Sequence, residues 1–255
     1  MDIRLVCPSY KRPNKVDTKK LYPFIRVYVD PAELEAYQKG NPELTIIPCA
    51  PGVQGNIARV RNHMLEREFS DGADVVAMID DDNSGIYYWE NKIKTPVQDL
   101  LAFIEKYSIV ASEWGAKFWG VNVNFDKQSY REYTPFSTLS FVGAPFHVFL
   151  KGNRCFYDER LPLKEDYDMT LQQINTERIA LRVNKAFYVT KQSENVGGCA
   201  TMRNHQREME QLALLQKKWG KDIVKVDKND RSHKSSKKKT RVDYNPVILV
   251  PIKGV

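Results

Sequence analysis

No apolar run in the sequence approaches the roughly 20 residues needed to span a bilayer, so no membrane partner is expected. Cysteine is scarce. Cys7, Cys49, Cys155 and Cys199 are scattered without paired spacing, which argues against a zinc cluster or a disulfide framework and for reduced thiols in a cytoplasm. The chain runs straight into Ile3-Arg4-Leu5-Val6-Cys7, a first strand with neither the length nor the flanks of a secretory signal. There is no internal repeat, and the only low-complexity piece runs from Arg231 to Lys239. A polar excess is also missing. With 42% hydrophobic and 11% aromatic residues the chain is globular rather than disordered, and 255 residues suffice to bury a large core.

Charge is present but uneven. Between Lys217 and Arg241 eleven basic residues face three aspartates, a surplus of eight, so a net charge of +7 leaves about −1 for the remainder. A near-neutral body thus carries a basic C-terminal segment, suited to a polyanion, a membrane surface or plain solvent.

Strand and helix signals alternate along the first part. Ile3 to Cys7 and Phe24 to Val29 are apolar runs rich in β-formers. Asp30-Pro31-Ala32-Glu33 has the form of a helix start, with Asp as cap, Pro first and Glu closing a capping box. Thr45-Ile46-Ile47 reads as a third strand, and Asn56 to Phe69 as a helix with Ile57, Val60, Met64 and Leu65 facing the core. Val75 to Ile79 is a strand running into Asp80-Asp81-Asp82. Further on, Val97–Tyr107, Asp166–Ile174 and Asn204–Trp219 read as helices. Phe118–Val123, Leu139–Val142, Pro145–Leu150 and Ile179–Val183 read as strands, and Val247 to Val250 as a strand docking back. The alternation predicts an α/β fold with a mainly parallel sheet covered by helices on both faces. Ligands in such sheets collect beyond the carboxyl ends of the strands, where the aspartates sit.

Three successive carboxylates repel unless something positive lies among them. A divalent cation with oxygen ligands resolves the conflict, and Mg²⁺ or Mn²⁺ suits carboxylates plus a diphosphate; a solvated acidic turn is the plainer alternative. A second acidic cluster follows at Asp158-Glu159 and at Glu165-Asp166-Tyr167-Asp168. Asp166 falls near a helix N-terminus, whose dipole favours its charged form, and an ionised carboxylate there can accept a proton from an attacking hydroxyl.

Four segments, in order, carry a resemblance. Val6-Cys7-Pro8-Ser9-Tyr10-Lys11-Arg12-Pro13, Gly55-Asn56-Ile57-Ala58-Arg59-Val60-Arg61-Asn62, Met78-Ile79-Asp80-Asp81-Asp82, and Tyr157-Asp158-Glu159 with Glu165-Asp166-x-Asp168-Met169 resemble the motifs of family-two glycosyltransferases. The resemblance covers Ile3 to about Ile174. It implies a GT-A, Rossmann-like fold over residues 1–220, with a donor half to about residue 95 and an acceptor half beyond it. A basic loop and closing strand over 221–255 would pack on the same domain. It further implies that Pro8, Ser9, Tyr10 and Arg12 line the pocket of a UDP-sugar, that Asp30 contacts the nucleoside, and that Gly55 with Arg59 or Arg61 reaches the diphosphate. Asp80 and Asp81 would touch the nucleotide sugar, Asp80 and Asp82 would hold Mn²⁺ or Mg²⁺, and Asp166 with Glu165 would serve the acceptor hydroxyl. The sequence departs from the family where a histidine usually completes the metal shell. Ser193 to Thr201 has none, which leaves Asn195, Glu194 or a folded-back His205 as substitutes and Gly197-Gly198 to approach a phosphate.

The acceptor is not fixed by these motifs. The chain is also similar to phage glycosyltransferases that decorate hydroxymethylated pyrimidines, the TET-associated glycosyltransferase group. That similarity implies 5-hydroxymethylcytosine in DNA as acceptor and a host cytoplasm as location. Lys234, Lys237, Lys238, Lys239 and Arg241 would then contact phosphates, and Tyr87, Tyr88, Trp89 or Trp114 would stack on a flipped base. A surface glycan or protein is the alternative acceptor. A nucleotidyltransferase, or a non-catalytic nucleic-acid-binding protein, leaves the second acidic motif unexplained.

Overall fold

A computed structural model describes residues 1–123, 126, 130, 132–190, 204–226 and 245–250. In chain order the elements begin β1 (Ile3–Pro8), β2 (Arg26–Val29), α1 (Leu34–Gly40), β3 (Thr45–Pro48), α2 (Ile57–Ser70), β4 (Val75–Ile79), β5 (Asn83–Glu90) and β6 (Ile93–Pro96). They continue α3 (Leu100–Glu113), β7 (Phe118–Asn122), β8 (Phe136–Ser137), β9 (Phe146–Leu150), α4 (Glu165–Glu177), β10 (Leu181–Thr190), α5 (His205–Trp219), β11 (Val224–Val226) and β12 (Pro246–Ile248).

Ten strands form one mixed sheet in the order β3-β2-β1-β4-β9-β7-β10-β5-β6, with β8 on β10. The first four strands in that order are mutually parallel, β7 and β10 are parallel, and β9, β5 and β8 run against their neighbours. The period-2 alternation of strand side chains divides the core between the two faces. Leu5, Cys7, Val27, Ala77 and Ile79 pack on one side with Phe103, Ile104 and Tyr107 of α3. Val6, Tyr28, Val76 and Met78 pack on the other with Val60, Met64 and Leu65 of α2 and Met169 and Ile174 of α4. The whole of β4 is buried, as a strand covered on both faces must be. The α/β, mainly parallel architecture is the one expected.

Helix α2 forms where expected because Asn56 caps it, its side-chain oxygen accepting from the Ala58 and Arg59 amides at 3.0 and 3.3 Å. Helix α3 is displaced towards the C-terminus relative to the expected Val97–Tyr107, since Asp99 accepts from Ala102 N at 2.9 Å and starts it there. The strand expected over Leu139–Val142 reduces to one bridge between Leu139 and Ala180. Side chains take the Val142 backbone groups instead: its N–H donates to Thr170 Oγ1 at 3.3 Å, and its carbonyl accepts from Thr170 and His147. The closing strand does dock back, β12 pairing antiparallel with β11. Cys7, Cys49 and Cys155 are free and buried; Cys199 lies outside the described residues. Among the described residues no helix is long and apolar enough to cross a membrane.

Candidate active site

Strands β1, β2 and β4 end side by side, which brings Pro8-Ser9, Asp30 and Asp80-Asp81-Asp82 to one edge. The three aspartates part company there. Asp81 turns inward and is fully buried. Its Oδ2 accepts from Ser9 Oγ at 2.5 Å and pairs with Arg12 Nε at 2.9 Å. Burial pushes its carboxyl up to about 7, against the pull of Arg12 and Ser9. Ser9 Oγ also lies 2.8 Å from Tyr37 Oη, which accepts from the Arg12 amide. Between them Lys11 holds φ +57°, a left-handed conformation that costs a non-glycine residue about 1–2 kcal/mol. Its amide donates to Glu33 Oε2 at 3.0 Å. Glu33, expected to close a capping box, is thus committed to this loop, while Asp30 caps the turn as expected by accepting from Ala32 N at 2.9 Å. Lys11 Nζ lies 4.9 Å from the Tyr10 ring centroid.

Asp80 stays a quarter exposed and accepts from Arg61 at 2.8 Å. Asp82 is 6% exposed, and its Oδ1 is buried with no hydrogen-bond partner. Burial, then the Asp80 charge, raise its carboxyl to about 6. Thr18 fixes the turn, its hydroxyl donating to the Asp80 carbonyl at 2.6 Å and its amide to the Asp81 carbonyl at 3.2 Å. An anion made this costly, with a partnerless oxygen, fits a cation that brings its own further ligands. Among the described residues no group of three or more His, Cys, Asp or Glu side chains is placed to hold a metal. Two carboxylates completed by substrate phosphate and water are the arrangement Mg²⁺ commonly takes. The residues present therefore fit a metal shared with a diphosphate.

Arg61 joins this edge to the second acidic cluster. It is 2% exposed and donates both to Asp80 and, at 3.1 Å, to the Ala144 carbonyl. The Ala144 amide in turn points at Asp166 Oδ2, 3.5 Å away, and the Tyr167 amide donates to Asp166 Oδ1 at 2.9 Å. Burial raises both Glu165 and Asp166; the neighbouring Asp166 charge adds to it at Glu165, and Arg61 opposes it at both. Because Asp166 has the two amides, the negative charge of the pair rests on it and the proton on Glu165. Arg61 thus stands between Asp80 and the loop that holds Asp166. Arg59, the alternative phosphate ligand, goes elsewhere: it donates to Glu159 and to the Gly52 carbonyl, each at 2.8 Å. Gly55, at φ +90°, sets the turn into the α2 cap.

The rest of the second cluster is structural in its contacts. Asp168 is fully buried and accepts from Lys218, Trp219 Nε1 and Gln172 at 2.7–2.9 Å. Asp158 accepts from Arg160 and Lys218, which hold it well below the usual carboxylate range, Arg160 first. Sequence reasoning missed Lys218 and Trp219, which read only as part of a basic stretch and a helix end. It also missed His147. Buried Nε2 faces the Val142 carbonyl at 3.1 Å, which can only accept, so Nδ1 takes the Tyr157 hydroxyl proton at 2.7 Å. Burial holds this histidine neutral.

Of the stacking candidates, Tyr88 packs edge-on to Phe103 against the core and Trp114 against Phe136. Tyr87 and Trp89 flank Phe187 at 5.8 and 5.1 Å. His205 opens α5 and is exposed. Glu194, Asn195, Gly197 and Gly198, together with Lys234, Lys237, Lys238, Lys239 and Arg241, lie outside the described residues.

No family model matches the sequence, and no curated protein matches it. Solved structures with similar chain paths include S. aureus TarS 1–349, at TM-score 0.46 and 13% identity over 74% of this chain. The chain spans 59% of that TarS chain. A197 from STIV is similar at TM-score 0.40 and 14% identity, over 77% of this chain and 89% of its own. A putative nucleotide-diphospho-sugar transferase from Desulfovibrio desulfuricans G20 is similar at TM-score 0.40 and 12% identity, over 72% of this chain and 80% of its own. These are likenesses of chain path.

Proposed function

We propose that the chain is a metal-dependent glycosyltransferase that moves a sugar from a nucleoside diphosphate, UDP, to a hydroxyl acceptor. The observation that carries this reading is the partnerless, buried Asp82 oxygen beside Asp80, set across Arg61 from the amide-held Asp166. Asp80 and Asp82 would hold Mn²⁺ or Mg²⁺, whose chemistry is that of a Lewis acid on the departing diphosphate. Pro8, Ser9, Tyr10, Arg12 and Asp30 would form the nucleoside side of the cleft, with Asp81 acting through Ser9 and Arg12 rather than by contact. Asp166 would take the proton from the acceptor oxygen as that oxygen bonds the anomeric carbon from the face opposite the diphosphate, which inverts the configuration. Glu165, protonated beside it, keeps a second negative charge out of the cleft.

The acceptor we propose is the hydroxymethyl oxygen of a modified pyrimidine in DNA. The basic surplus between Lys217 and Arg241 supports this, because lysines that neutralise phosphates release counterions. The test is incubation with Mn²⁺, a panel of UDP-sugars and hydroxymethylated DNA, read by nucleoside mass spectrometry. A new glycosylated nucleoside is expected. Sugar transferred to a glycan or protein but never to DNA would replace the acceptor, and nucleotide transfer without sugar would replace the reaction. Substituting Lys237, Lys238 and Lys239 by Ala should weaken DNA binding and flatten its salt dependence.

A further inference from the structure

Tyr188 is a buried hydroxyl bearer that the proposed reaction has not yet used. It sits on β10 opposite Ile86 of β5, one residue past the point where the β10 register against β7 shifts between Val183 and Phe187. Register irregularities of this kind re-aim side chains beside functional sites. The ring is packed into the core and 9% exposed. Its hydroxyl end reaches Gly143 so closely that a Cβ there would stand 2.5 Å from Oη and 2.6 Å from Val123 Cγ1. Glycine is thus what allows the phenol to reach this spot.

Gly143 and the next residue locate that hydroxyl within the site. Ala144 points its amide at Asp166, and its carbonyl accepts from the Arg61 that also holds Asp80. The Tyr188 oxygen therefore lies beside the hinge between the two carboxylate groups. Burial, then the charges of Asp166 and Asp80, raise its proton affinity well above the ordinary phenol range, so it stays a hydrogen-bond donor at any working pH. No hydrogen bond to its oxygen is seen among the described residues, and that oxygen is not one of the fully buried atoms left without a partner, so it stays open to a ligand.

In a glycosyl transfer, the group that must lie between leaving diphosphate and attacking oxygen is the sugar itself. We propose that Tyr188 donates a hydrogen bond to a hydroxyl of the transferred sugar and so helps to select which sugar is accepted. This rests on the glycosyltransferase reading above. A pyranose hydroxyl can accept from the phenol and donate to a neighbouring carboxylate in the same contact.

The test uses the full chain with UDP-, ADP-, GDP- and dTDP-glucose, and then the 2-, 3-, 4- and 6-deoxyglucose analogues of whichever nucleotide sugar binds. Binding is followed by calorimetry and turnover by nucleotide release. Tyr188→Phe removes one oxygen and keeps the ring. It should lower kcat/KM for the parent sugar on the order of tenfold, the usual worth of one such bond, with an unchanged melting temperature. Against one deoxy analogue the wild type should lose a similar factor and Tyr188→Phe nothing further. Gly143→Ala, which displaces the hydroxyl, should show the same loss of discrimination. Equal discrimination by wild type and Tyr188→Phe across all four analogues would overturn the assignment while leaving the transferase reading intact. Failure of the wild type to bind or turn over any nucleotide sugar would overturn both.

Discussion

Replacing Asp82 by Asn gives a direct test of the proposed cation site. The unfolded chain releases an aspartate proton near 3.8, whereas folded Asp82 keeps its proton up to about 6. Below the lower value both states are protonated and the group makes no difference. As pH rises between the two, the unfolded chain gives up the proton that the folded protein must keep, and stability is lost until the folded group also ionises just above 6. At about 1.4 kcal/mol per pH unit, that gap corresponds to about 3 kcal/mol. For a protein of this size each kcal/mol moves Tm by about 2–4 °C, so the metal-free protein should lose about 6–12 °C between pH 4 and 7 on this account alone. The measurement is a series of thermal unfolding curves in EDTA for wild type and Asp82→Asn. Asp81 titrates in both, and more easily in the variant because its charged neighbour is gone, so the variant curve should be the flatter by at least the Asp82 share. Adding excess Mn²⁺ should restore wild-type stability increasingly over the same window and leave the variant unmoved. Parallel pH curves for the two proteins, or an equal Mn²⁺ effect on both, would refute the reasoning.

Two further outcomes follow from the contacts. Asp168→Ala leaves Trp219 Nε1 without its acceptor, Gln172 with only the Phe156 carbonyl and Lys218 with only Asp158; about 2–4 kcal/mol of stability should be lost in urea unfolding. Hydrogen exchange should show α5 loosening while β4 stays protected, and a uniform loss would argue against a local anchor. Arg61→Met removes one of the two positive charges, with Lys164, that oppose the effect of burial on Asp166, so the acid limb of the kcat/KM profile should move to higher pH. An unmoved limb would remove Arg61 from the electrostatics of the base.

The strand leading into the aspartates and the helix behind Asn56 were legible because short-range chemistry decides them: an apolar run, a side-chain cap, a helical period. The same aspartates were not individually legible. Which of them binds inward and which is left for a ligand depends on Ser9, Arg12, Thr18 and Arg61, delivered by other elements, and on no local pattern. Strand β5 was hidden because Asn83-Ser84-Gly85 has the composition of a turn, and it is pairing with β10, a hundred residues on, that draws this stretch into the strand. Lys218 misled in the opposite direction. Counted with the basic surplus, it is committed to Asp158 and Asp168, and the charge free to meet a polyanion is smaller than the sequence total.

Arg61 serves Asp80 and, through Ala144, the setting of Asp166. A single guanidinium shared in this way makes the two halves of the cleft inseparable in their evolution. On the proposed reading, a lineage that changes its sugar donor by altering the Asp80 side perturbs the proton acceptor in the same step, so drift at either end must pass through substitutions tolerated at both. Substitutions at Asp80 and Asp166 should accordingly be strongly epistatic. Change of substrate in such a chain is then most accessible at positions that do not lean on Arg61, such as the loop bearing Lys11.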